Sequence, residues 1–291
     1  MTVQYCPVCS APARHRFQKH GHEIHACSGC GLVFTVGPWS SVQARVLYGR
    51  RYFSGAAPEG YTDYAGLEIA LRRTARRRLR RLPQGGRLLD IGCATGTFIA
   101  EAQALYRAAG ADISFDACRV ARSRGLDVVA TDAAALPFAS ASLDVITMWD
   151  TLEHISDPLA VLAEVARVLR PGGTLVLTTG DVSSWCARLS GRRWHLLTVP
   201  EHRYFFSPPS LTRVFDRVGL RCTACYHAGG YYSPAYILER LAKSLRAGVG
   251  IVERLHRWRC LRETTLYVNL FDIMTVEAVR LASPKPQEAP S

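Results

Sequence analysis

The stretch LLDIGCATGTF, Leu88 to Phe98, decides the fold. An apolar run passes through Asp90 into a turn of small residues, Gly92-Cys93-Ala94-Thr95-Gly96, and a helical pattern begins directly behind it. Strand, small-residue loop and helix in that order are how open α/β sheets hold nucleotide cofactors at the carboxyl ends of their strands. A dinucleotide site wants G-x-G-x-x-G. Glycine here fills only the first and fifth places of the segment from Gly92 to Thr97, which argues against NAD.

Outward from this stretch, the strand-length runs RLLDI, LDVVATD, LDVITMWD and GTLVLTTG alternate with the helical stretches GTFIAEAQALY, SFDACRVARSRG and PLAVLAEVARVLR. The last helix is expected to stop at Pro171-Gly172-Gly173. Such alternation predicts a parallel sheet covered on both faces. With 291 residues, 48% of them hydrophobic and 21% charged, the chain can bury that core and still carry a small accessory unit.

The loop resembles the first motif of class I S-adenosylmethionine (SAM)-dependent methyltransferases, with Asp90 in the acidic place and Ala94 where the middle glycine usually stands. Further parts follow in the family's order: Asp112 in AGADIS, Asp132-Ala133 before LPF, Asp150 at the end of LDVITMWD, then DTLEHISDP and EVARVLRPGGTLVLTT. The resemblance spans residues 87 to 179 and points to the small-molecule branch, with partial similarity to sugar C-methyltransferases and quinone O-methyltransferases. It implies a doubly wound, mostly parallel seven-stranded sheet with an antiparallel C-terminal strand. It also implies SAM bound by Asp90, Gly92, Cys93, Ala94, Gly96, Asp112, Ile113, Asp132, Ala133 and Asp150. Each of these aspartates could instead simply cap the next helix.

A methyl on a sulfonium is already electrophilic, so the protein's task is to align a nucleophile and, for a hydroxyl or enolisable carbon, to supply a base. Two candidates stand out. Glu201 and His202, in EHRYFFSPPSL, resemble the acid/base segment of sugar C-methyltransferases, and His154 in DTLEHI lies near the transferred methyl in the resembled branch. Hydrogen bonds that hold a loop or a helix start would explain the same residues. Tyr61 and Tyr64, in the aromatic, glycine-rich segment from Tyr48 to Gly66, are candidate lid contacts.

Cys6-x2-Cys9 and Cys27-x2-Cys30 carry the spacing of two knuckles sharing one tetrahedral Zn2+. A structural zinc ribbon over residues 1–36 follows, packed on the next domain through GLVFTVGPW, with His15, His20, His22 and His25 read as surface groups of its hairpin. Cys222 and Cys225 repeat the spacing inside a strand-like run and read as core. The expected organisation continues with a helical lid or connector over 37–82 and a methyltransferase domain over 83–282. An insertion over 229–260 caps the substrate, or meets a membrane surface peripherally, and a disordered tail covers 283–291.

The formal charge is +12, but only three of the 36 basic residues are lysine, which reads as codon bias more than as a nucleic-acid signal. The run RRTARRRLRRL, Arg72 to Leu82, reads as a solvated helix face, with phosphate contact as the alternative. No apolar run approaches the roughly 18 residues of a membrane span, and the N-terminus lacks a signal-peptide layout, so a cytoplasmic enzyme is expected. Its acceptor would be a small molecule such as a sugar, quinone or other secondary metabolite, methylated on oxygen or carbon. Two alternatives are an RNA methyltransferase that uses the ribbon for RNA and a non-enzymatic binding protein that retains the fold. Oligomeric state is not legible.

Overall fold

A computed structural model describes residues 3–37, 40–48, 67–238, 261 and 263–282. The chain begins with short antiparallel strands, β1 (Gln4–Tyr5), β2 (Pro12–Lys19), β3 (His22–Cys27) and β4 (Val33–Thr35), followed by helices α1 (Ser41–Leu47) and α2 (Glu68–Leu79). Next come β5 (Arg87–Ile91), α3 (Thr97–Ala102), β6 (Arg107–Asp112), α4 (Phe115–Ser123), β7 (Val128–Ala130), β8 (Leu143–Trp149) and α5 (Pro158–Val168). The remainder holds β9 (Leu169–Gly180), α6 (Trp185–Ser190), β10 (Tyr204–Phe205), α7 (Pro208–Arg217), β11 (Leu220–His227), β12 (Gly230–Tyr232), β13 (Leu266–Val268) and β14 (Ile273–Arg280).

The main sheet has seven strands in the order β11-β14-β9-β8-β5-β6-β7. β5 pairs in parallel with both β6 and β8, whereas β14 runs antiparallel between β9 and β11. The order reverses around β5 and β8, which places a crevice at their carboxyl ends. Local chemistry fixes the helices that frame it. Asp157 caps α5 by accepting the N–H groups of Leu159 and Ala160, with Pro158 in the first turn, and Ser207 and Ser210 form a capping box on α7.

Two expectations about local structure change. LDVVATD contributes only the three residues of β7, and α3 ends at Ala102 rather than near Tyr106. Pro171-Gly172-Gly173 does not separate helix from strand: α5 runs directly into β9, and the pairing jumps from Leu143↔Leu169 to Val145↔Thr174. The three residues thus form a bulge inside the strand, where Gly172 takes a φ of +73°.

The N-terminal strands do not stand apart. β10 pairs antiparallel with β4, Tyr204 opposite Phe34, giving a five-stranded sheet in the order β1-β2-β3-β4-β10. Leu32 and Phe34 share one apolar cluster with Phe206, Leu211 and Val214, and Ile24 and Val33 share another with Trp194, Leu197 and Phe205. No helix among the described residues is long and apolar enough to cross a membrane.

The insertion expected over 229–260 is rooted by the β12–β13 hairpin, whose Tyr231 N–H bonds Thr74 of α2 at 2.9 Å. Residues 239–260, the expected tail and the segment holding Tyr61 and Tyr64 lie outside the described residues.

Candidate active site

β5 delivers Asp90 to the carboxyl edge, and the chain turns through Gly92 (φ +78°), Ala94 (φ +48°) and Gly96 (φ +83°) into α3. A Cβ on Gly92 would stand 2.3 Å from Thr151 Oγ1, so only glycine lets this loop close against the end of β8. The left-handed backbone at Ala94 costs a non-glycine residue roughly 1–2 kcal/mol. Opposing that cost, the Ala94 N–H donates to Asp112 Oδ2 at 2.8 Å, a charge-assisted bond when Asp112 is ionised. The other oxygen of Asp112 accepts the Ser114 N–H at 2.8 Å.

Loop and strand ends line a cavity of about 280 Å³. Of the ten residues expected at the cofactor, all but Gly96 line it: Asp90, Gly92, Cys93, Ala94, Asp112, Ile113, Asp132, Ala133 and Asp150. Gly96 works from behind. A Cβ there would meet Leu126 Cδ1 at 2.3 Å, so it permits the close approach of α3.

Electrostatically the cavity wants a cation. Asp90 is 2% exposed, and burial pushes its carboxyl up to about 7 despite the Thr147 hydroxyl donating to it at 2.6 Å. Burial also raises Asp112, against three backbone N–H groups that favour its charged form. A positively charged ligand reverses both penalties. The indole Nε1 of Trp149 is buried with no hydrogen-bond partner among the described residues, leaving a donor in the cavity wall. Unsatisfied donor, electron-rich carboxylates and glycine cradle together fit a ligand carrying a sulfonium and a polar nucleoside.

Of the expected catalytic residues, His154 lines the cavity, whereas Glu201 and His202 are not among its lining residues. Three residues close around His154. The Tyr48 hydroxyl lies 2.7 Å and the Glu201 carbonyl 3.1 Å from its Nδ1, and the His202 ring meets it edge-on at 4.5 Å. A carbonyl can only accept and a phenol oxygen can do either, so a proton on Nδ1 satisfies both partners and leaves Nε2 basic. His202 donates its own Nδ1–H to the Leu196 carbonyl at 2.7 Å. Burial holds His154 down at about 4 and pushes the neighbouring Glu153 up to about 8, where Thr179 Oγ1 donates to its carboxyl at 3.0 Å.

Sequence reasoning missed three residues of this wall. Arg78 stacks 4.3 Å over Trp149 and reaches Asp150 at 3.4 Å, Trp149 packs against Phe98 at 5.2 Å, and Tyr48 holds His154. Arg78 belongs to the run read as a solvated helix face. Arg73, Arg76, Arg80 and Arg81 of that run are exposed, and most of its members also hold surface partners: Arg72 and Arg76 bind Glu101, Arg73 bonds Thr265, and Arg77 and Arg81 stack on Tyr267 and Tyr226.

In the N-terminal sheet the four thiols of Cys6, Cys9, Cys27 and Cys30 converge within 4.8 Å, a set that could hold a metal ion. Backbone N–H groups of Val8, Gly29 and Cys30 point at their sulfurs. Two expectations nearby are corrected. His25 is not a surface group: it is 6% exposed, wedged between His15 and Phe34, with Nε2 on Glu23. Cys225 is exposed and only Cys222 packs on the core, because residues three apart in a strand face opposite sides of the sheet.

The sequence profile of a family described as a methyltransferase domain matches residues 64–224. The chain belongs to this methyltransferase family. Among its relatives, the ubiquinone biosynthesis O-methyltransferase of Vibrio cholerae serotype O1 is 30% identical over 189 residues, covering 59% of this chain and 75% of the relative. That of Thiobacillus denitrificans is 33% identical over 172 residues, covering 54% and 73%. The methyltransferase shares its fold with a SAM-dependent methyltransferase of Thermotoga maritima (TM-score 0.51, 20% identity, 75% of this chain and 92% of that one). It is also similar to one from Archaeoglobus fulgidus (TM-score 0.51, 16% identity, 73% and 94%). It is a class I SAM-dependent methyltransferase, and a small-molecule acceptor fits its O-methyltransferase relatives.

Proposed function

We propose that the methyltransferase methylates an acidic hydroxyl, phenolic or quinol in class, with His154 as the base. The observation that carries this reading is the neutral, desolvated imidazole of His154 in the wall of the cavity, its Nδ1 shared between Tyr48 and the Glu201 carbonyl. When bound, SAM supplies the electrophilic methyl. Asp90 and Asp112 balance its positive charge, the orphan indole N–H of Trp149 offers a donor, and His154 takes the acceptor's proton.

A base held at about 4 is always free to accept a proton near neutrality, yet it is a weak one. Of the two hydroxyl classes a phenol, with a pKa of about 10, lies nearer its reach, and an alkyl hydroxyl, closer to the roughly 15.7 of water, lies farther. This favours a quinol over a sugar, in keeping with the ubiquinone O-methyltransferase relatives. Glu201 and His202 then orient His154 rather than touch the acceptor. The engagement of the arginine run by intramolecular partners supports a small acceptor over RNA.

The converging thiols suit tetrahedral Zn2+, and the N–H groups aimed at the sulfurs favour their thiolate form. We assign Cys6, Cys9, Cys27 and Cys30 to a structural zinc.

The test is a methyl-transfer assay on catechols, hydroquinones and sugar nucleotides. His154→Ala is expected to lower kcat by about 10²- to 10⁴-fold while S-adenosylhomocysteine affinity, read by calorimetry, holds. Unchanged turnover in that variant overturns the base, and methylation of sugars but not phenols overturns the acceptor class.

A further inference from the structure

We propose that Cys186, His195 and Asp272 form a second metal site, suited to Zn2+ or a neighbouring first-row divalent ion and open to a fourth ligand. The three come from separate segments, α6, the turn after it and the residue preceding β14, yet their ligand atoms lie within 4.8 Å of one another. Sulfur, imidazole nitrogen and carboxylate oxygen form a mixed donor set that selects such ions over Mg2+ or Ca2+.

Asp272 anchors the arrangement. It is 2% exposed, and its Oδ2 accepts the Trp194 indole N–H at 2.8 Å, the outer bond that typically orients a metal-binding carboxylate. His195 Nδ1 lies 3.5 Å from the same oxygen, too long for a good hydrogen bond but consistent with two ligands flanking an ion. Trp194 alone would serve a purely structural aspartate; neither a thiol nor an imidazole is needed for that.

The side chain of His195 is 40% exposed, which gives an ion an entry path and a free coordination position. Three protein ligands with one open place are the pattern of reactive or ligand-binding sites, in contrast to the closed four-thiol set of the ribbon. The location suits a ligand-facing role. The Asp181 N–H bonds the Asp272 carbonyl at 2.7 Å, which sets Asp272 at the carboxyl end of β9, one strand from the Asp150 edge of the cavity.

The experiment uses the full chain, stripped with chelator, reloaded with Zn2+ or Co2+ and freed of excess by gel filtration. Cys186→Ser and His195→Gln should each bind one metal equivalent fewer than wild type. Cys186→Ser should also lose part of the Co2+–thiolate absorption, with S-adenosylhomocysteine binding retained as proof of folding. His195→Gln changes an exposed side chain and so keeps the comparison readable if the cysteine variant misfolds. Equal metal content in wild type and His195→Gln overturns the proposal, whatever the occupancy of the four-cysteine cluster.

Discussion

Glu153 and His154 are neighbours in sequence whose burial pushes their titrations in opposite directions. A carboxyl raised from its ordinary 4.5 to about 8 binds extra protons in the folded state, so its contribution to stability falls as pH rises through that window. Asp90, raised from 3.8 to about 7, acts in the same sense. His154, lowered from 6.5 to about 4, binds fewer protons when folded, so its term rises between pH 4 and 6.5 and is flat above. From pH 7 to 8 the Glu153 term is the largest of these three. Glu153→Gln is therefore expected to flatten the fall in Tm over that interval and to raise Tm at pH 8, as read by calorimetric scans. An unchanged slope would show that Glu153 is ionised throughout. His154 was legible in DTLEHI as a candidate and Glu153 was not, and the protonation of neither was, because it depends on Thr179, Tyr48 and Glu201 arriving from distant parts of the chain.

At the scale of elements, the β5–α3 loop is the part the sequence describes best. Its glycines, its terminal aspartate and its helix are contiguous, and local backbone preference favours the turn at Gly92 and Gly96, while at Ala94 the bond to Asp112 offsets the strain. Gly92→Ala adds a Cβ at positive φ and drives it into Thr151. The expected result is a loss in S-adenosylhomocysteine affinity of roughly tenfold or more, about 1.4 kcal/mol, measured by calorimetry. Binding at wild-type strength would mean that the loop tolerates the shift. β9 shows the opposite case: proline and two glycines ordinarily end an element, yet β8 pairs with the strand on both sides of them, at Leu169 and again from Thr174, and carries it through as a bulge. α2 shows a third case: Arg73 and Arg76 are exposed as a solvated face requires, yet folding also brings Glu101, Trp149 and Tyr267 against the arginines of this helix.

Across the whole molecule, the N-terminal sheet is wired into the wall behind His154. The Thr35 N–H donates to the Arg203 carbonyl at 2.9 Å, and the buried Arg203 side chain donates to the carbonyls of Thr35 and Gly37. The Arg203 N–H in turn donates to the Glu153 carbonyl at 2.7 Å, while Lys19 bonds the Leu197 carbonyl at 2.7 Å and Tyr204 bonds Ser156. The ribbon thereby templates the segment from Leu196 to Phe206, which holds His154 through Glu201 and His202. Paired Cys9→Ser and Cys27→Ser substitutions are expected to raise hydrogen exchange across residues 196–206 and to lower kcat, with cofactor affinity preserved. Unaltered exchange there would reduce the ribbon to an independent appendage.

The sequence by itself determined the wound sheet, its cofactor loop, the carboxylates at the strand ends and the paired cysteine knuckles, because each is written in short spacings that local geometry converts directly into structure. Only the tertiary structure decided which histidine faces the cavity, where the arginines of α2 go and how the ribbon joins the sheet. Those outcomes are set by contacts between residues a hundred or more positions apart, such as Tyr48 with His154 and Phe34 with Tyr204. Burial and hydrogen bonding there depend on packing that periodicity in one segment does not encode.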